Sequence, residues 1–181
     1  DIADTIKFLR ADAACNGRVG SVGYCLGGKL AYLAATRSDA DCSVGYYGVG
    51  IEKALGEAGS IRKPLMLHVA KLDKFVPPPA QEQIHRALDA HSKVSLFDYD
   101  GCDHAFARVG GDHYNKDAAD LANARTLAFF KRHLQAPAPM PAKPPVPPPP
   151  RPSASLSAKP SEKPPAPRPR PTLTLAKPAA P

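Results

Sequence analysis

Gly20-Ser21-Val22-Gly23-Tyr24-Cys25-Leu26-Gly27-Gly28-Lys29 is the stretch whose reading decides the fold. It reads as a strand that ends in a sharp turn, with a cysteine at the apex and a helix beginning at once. This is the G-x-nucleophile-x-G elbow, with Cys25 where a serine is more usual. Gly23 and Gly27 are expected to leave room for a strained turn whose apex side chain points above the sheet. The helix N-terminus beneath Cys25 favours negative charge, supporting both a thiolate and an oxyanion formed in acyl transfer. The competing reading is a glycine-rich turn around a buried structural cysteine.

A nucleophilic thiol needs a base, and the base needs an orienting group. Around an elbow of this kind the chain order is nucleophile, acid, histidine. Pro64–Ala70 is a short apolar run that reads as a buried parallel strand, and it places Asp73 in the loop just beyond. A helical stretch over 80–90 follows, with Ile84 and Leu88 on one face. Lys93–Tyr99 reads as the next strand, and His104 lies in the glycine-containing turn after it. Cys25, Asp73 and His104 thus each follow a strand, where open α/β sheets place their ligands. His68, inside an apolar strand, reads as a packed core histidine. His85, His91, His113 and His133 read as solvated positions on helices or at their ends. Asp98, Asp100 and Asp103 compete with Asp73, but the first lies within a strand and the others sit close to His104 in sequence.

Several motifs in this order resemble the dienelactone hydrolase family (carboxymethylenebutenolidases). They are Gly23–Gly28, Gly45–Gly50, Asp73 with Phe75-Val76-Pro77, His104–Arg108 and Leu121–Leu127. The resemblance covers about residues 1–134. It implies an α/β-hydrolase fold and a Cys-Asp-His triad carried by Cys25, Asp73 and His104. It also implies one oxyanion donor in the backbone N–H of Leu26, and Arg108 as a substrate-carboxylate ligand. The expected reaction is hydrolysis of a small ester or lactone through a thioester. Lys74 and Lys71-Leu72 depart from the family pattern beside the acid, which bears on substrate preference. A general small-ester hydrolase without carboxylate preference is the first alternative. An inactive fragment whose tail mediates protein interaction is the second.

Only 24 residues precede Cys25, holding one amphipathic segment (Ile2, Ile6, Phe8, Leu9) and the elbow strand. The expected fold is therefore the C-terminal part of a mostly parallel sheet flanked by helices, with the N-terminal strands missing. Four strands are expected, a lone one at 43–47 lying between the elbow helix and the Asp73 strand, with crossovers over 26–37, 80–91 and 116–134. A glutamate and a second arginine that the family carries in its N-terminal portion have no counterpart here. By itself the polypeptide is expected to be inactive or aggregation-prone, the longer protein a hydrolase.

Eighteen of the 22 prolines lie from Pro137 onward, interleaved with Ala, Ser, Lys and Arg. Such a segment cannot form a packed core, so residues 135–181 are expected to be a disordered, basic, polyproline II tail. It holds seven basic residues and one acid, and so carries almost all of the formal +7. The body is near neutral and gives no sign of nucleic-acid binding. The tail's PxxP spacing with flanking arginine suits a polyproline-recognising or acidic partner. No membrane span is expected, since no run of 18 or more apolar residues exists. The four cysteines show no zinc-like spacing, no metal or cofactor is expected, and a required free thiol suggests a reducing cytoplasm.

Overall fold

The structure is a computed structural model that describes residues 1–135. The tail expected over 135–181 lies, save Gln135, outside the described residues. Three apolar segments and the elbow strand form a four-stranded, wholly parallel sheet: β1 (Gly20–Tyr24), β2 (Cys42–Tyr46), β3 (Leu65–Ala70) and β4 (Val94–Tyr99), in the order β1-β2-β3-β4. Helices α1 (Ile2–Ala11), α2 (Leu26–Arg37), α3 (Pro78–Leu88) and α4 (Lys116–Leu134) accompany it. A 3₁₀ segment over Ile51–Ser60, which the sequence reading did not foresee, links β2 to β3. Among the described residues, no helix is long and apolar enough to cross a membrane.

β2 and β3 are buried at every residue, the expected result for central strands covered on both faces. Successive side chains divide between two cores. Leu65 and Leu67 join Tyr32, Ile61, Ile84 and Leu88 beneath α2 and α3. Met66 joins Val44, Tyr46, Tyr99, Phe106 and Phe129 on the α4 side. Among the described residues β1 pairs with β2 alone, and it is far more open, Val22 being 47% and Tyr24 48% exposed. The apolar stripe expected on α1 is mostly bare: Ile6 packs with Val19 and Ala40, while Phe8 and Leu9 face outward. Arg10 ties that helix down by ion pairs to Asp39 and Asp41.

The register puts the functional loops side by side. Tyr24 pairs with Tyr46 and Tyr46 with His68, so β1, β2 and β3 end near one level. Backbone bonds continue past those ends, from Cys25 N–H to the Tyr46 carbonyl (3.1 Å), Tyr47 N–H to the His68 carbonyl (2.8 Å) and Lys71 N–H to the Tyr99 carbonyl (3.1 Å). Residues 25, 47, 71 and beyond therefore leave the sheet at a common rim.

Candidate active site

Cys25 stands at the end of β1 and the start of α2 with φ 58° and ψ −120°, a region that non-glycine residues seldom occupy. Its carbonyl accepts hydrogen bonds from Gly28 N–H (2.9 Å) and Val49 N–H (3.3 Å), and these hold the turn closed. A Cβ at Gly23 would lie 1.9 Å from the Gly27 carbonyl oxygen, so only glycine fits there. The expectation for Gly27 fails, because a Cβ there meets nothing within 4 Å. Gly28 takes that role instead: its Cβ would sit 2.6 Å from the Tyr46 carbonyl oxygen and 2.7 Å from the Gly48 Cα, where helix and sheet nearly touch. Cys25 is exposed, which does not fit a buried structural cysteine.

Asp73 is buried, 2% exposed, in the loop after β3. Its Oδ1 accepts from the Phe75 N–H at 2.8 Å, and its Oδ2 meets His104 Nδ1 at 2.7 Å. The loop after β4 delivers His104, whose own N–H donates to Asp103 Oδ1 (2.6 Å). The imidazole is wedged edge-on between Tyr47 (5.1 Å between centroids) and Phe75 (4.8 Å). With Nδ1 turned to the carboxylate, Nε2 is the nitrogen left for proton transfer. Among the described residues, no hydrogen bond joins the Cys25 thiol to the His104 ring.

Cys25 and His104 border one cavity of about 700 Å³. Leu26 and Arg108 border it too, together with Tyr24, Tyr47, Phe75 and Asn123. As the first residue of α2, Leu26 has a backbone N–H with no acceptor inside the helix. Arg108 makes no ion pair among the described residues, and its charge acts on the Tyr47 phenol from nearby. Burial nevertheless pushes that phenol up to about 12, so Tyr47 stays protonated at neutral pH. The lining by Tyr24, Tyr47, Phe75 and Asn123 was not foreseen as function. Tyr47 and Phe75 lay within motifs already singled out, but single residues give no signal for which way a loop side chain turns.

The remaining histidines behave otherwise. His68 is buried, its ring bonded to Tyr99 and Thr126, and desolvation pulls its pKa down to about 3. His85, expected in solvent, is instead held between Asp89 (2.9 Å) and Asp98 (3.0 Å). Cys102 is buried packing material, its thiol pushed up by desolvation.

The family model for the dienelactone hydrolase family matches residues 1–134. The chain is 41% identical over 132 residues to a carboxymethylenebutenolidase of Pseudomonas sp., covering 73% of this chain and 55% of that protein. It is 42% identical over 127 residues to carboxymethylenebutenolidase 1 of Cupriavidus pinatubonensis, covering 70% of this chain and 54% of that one. Among solved structures, a dienelactone hydrolase-like promiscuous phosphotriesterase from metagenomic libraries superposes with a TM-score of 0.62 at 18% identity, over 72% of this chain and 59% of that chain. That likeness speaks to the fold, which is α/β-hydrolase. The chain spans about half the length of these curated relatives.

Proposed function

This chain belongs to the dienelactone hydrolase family, and from that premise we propose that it carries the Cys-Asp-His triad of a carboxylic ester hydrolase acting on small, carboxylate-bearing lactones or esters. The observation that supports this most is the 2.7 Å bond between Asp73 and a histidine that shares a cavity with the elbow cysteine. Nucleophile, base and orienting acid are the three parts that acyl transfer requires.

In the proposed mechanism His104 Nε2 takes the proton of the Cys25 thiol, while Asp73 stabilises the imidazolium. The sulfur attacks the acyl carbon and its carbonyl electrons move onto oxygen. The Leu26 N–H, at the positive end of α2, meets that oxyanion; a donor of this kind is worth about 2.7–4 kcal/mol of barrier. Collapse re-forms the carbonyl and breaks the acyl–oxygen bond, and His104 gives its proton to the leaving oxygen. His104 then takes a proton from water, whose oxygen adds to the thioester carbon. Collapse breaks the C–S bond, His104 returns that proton to sulfur, and the acid formed loses its own proton to solvent as a carboxylate. For a lactone the two fragments remain one molecule, a ring-opened acid. Arg108, permanently charged and bordering the cavity, would take the substrate's own carboxylate.

Turnover by the protein carrying these residues tests the assignment. Arg108→Ala should raise KM for a carboxylate-bearing lactone by about 10- to 100-fold, the worth of a charged hydrogen bond, and spare a neutral aryl ester. Equal losses on both substrates would favour a general esterase. Turnover indifferent to Cys25→Ala would end the hydrolase reading.

A further inference from the structure

Behind the cavity wall runs a chain of hydrogen bonds that the proposed triad does not use. Arg125 Nη1 lies 3.1 Å from the Tyr99 hydroxyl, which lies 2.8 Å from His68 Nδ1. His68 Nε2 is 2.9 Å from Thr126 Oγ1, which is 2.7 Å from the Tyr46 hydroxyl. That hydroxyl in turn donates to Asn123 Oδ1 at 3.0 Å. Tyr46, His68, Tyr99 and Thr126 are all buried, so none can turn to water for a partner.

The chain runs in one direction. An arginine only donates, so the Tyr99 oxygen accepts there; the buried Tyr99 O–H then finds its one acceptor among the described residues in His68 Nδ1. His68, kept neutral by its burial, then carries its proton on Nε2 and gives it to Thr126. Thr126 donates to Tyr46, and Tyr46 to Asn123 Oδ1. Arg125 is itself pinned 4.2 Å over the Phe97 ring, which fixes the start. The end is fixed too: with Oδ1 engaged, the Asn123 Nδ2 amide has no partner among the described residues, and Asn123 borders the same cavity as Arg108.

We propose that Asn123 is a substrate-recognition residue, its Nδ2 amide held as a hydrogen-bond donor for an oxygen of the substrate's carboxylate by the one-way relay from Arg125. This rests on the reading of the Cys25 cavity as the substrate site. A charge from Arg108 and a neutral donor from Asn123 together select oxygen-rich anions; ligands that present only donors find no acceptor at either group.

The test uses 2-furylacetate, a small unreactive ring carrying a carboxylate, titrated calorimetrically into the full chain. Asn123 is exposed on α4, so Asn123→Leu removes the donor without opening the core. It should weaken binding about tenfold and, by leaving the buried Tyr46 hydroxyl without its acceptor, lower the melting temperature by a few degrees. Tyr46 does not border the cavity, and Tyr46→Phe should still weaken binding a fewfold by freeing the amide to turn. Nitrogen NMR should find His68 neutral with its proton on Nε2. Equal binding by wild type and Asn123→Leu, no binding by either, or a proton on Nδ1 of His68 overturns the proposal. Asn123-dependent binding without Cys25-dependent turnover upholds it and removes the hydrolase reading. Cys25-dependent turnover with Asn123-independent binding does the reverse.

Discussion

The two halves of the site are built on opposite plans. His104 and Asp73 are held by their side chains: a 2.7 Å bond between them, a second bond to the carboxylate from the Phe75 N–H, and aromatic rings on both flanks of the imidazole. Among the described residues, only the backbone of Cys25 is hydrogen-bonded. Its N–H and carbonyl are bonded to Tyr46, Gly28 and Val49, its φ of 58° is forced by that clamp, and its thiol stands exposed. An acid–base pair must keep its orientation to transfer protons. In the proposed mechanism Cys25 must reach the substrate, and a fixed backbone at an exposed residue meets that need. Strain on one side and packing on the other serve one geometry.

The contrast predicts where each half breaks. Asp73→Asn should leave the packing in place and favour the wrong imidazole tautomer, lowering kcat by about 10⁴-fold, read by turnover at fixed pH. A fall of less than tenfold would mean the pair does not act as drawn. Gly23→Ala attacks the backbone plan, since the new methyl must displace the Gly27 carbonyl; a loss on the order of 4 kcal/mol in denaturant melts is expected. Phe75→Ala loosens one flank of the imidazole and should lower kcat about tenfold with KM little changed. Gly27→Ala is the counterpart to Gly23→Ala. With open space around it and a place in the first turn of α2, it should stabilise the chain by about 0.5–1 kcal/mol. If both glycine variants behaved alike, the elbow would not be the clamp described.

Much of this was legible along the chain. Apolar runs bounded by loops gave β2, β3 and β4 to within a residue or so, and the order of Cys25, Asp73 and His104 anticipated three loops at one rim. What escaped depends on contacts between distant segments. Which glycine bears on the helix, Gly27 or Gly28, is settled by how closely Gly48 approaches α2. The bare face of α1 could not be read from its periodicity, which marks an apolar stripe without saying what covers it. The relay to Asn123 joins residues up to 80 positions apart, and no local pattern announces it. His85 escaped because its second partner, Asp98, comes from a neighbouring strand.

The rate of Cys25 alkylation by iodoacetamide, compared with His104→Ala across pH 5 to 9, tests most directly whether the two halves form one site. The account predicts that Cys25 reacts faster than Cys15, Cys42 and Cys102 at neutral pH, and that His104→Ala abolishes the advantage. A Cys25 no faster than the exposed-thiol norm, or one indifferent to residue 104, would contradict it.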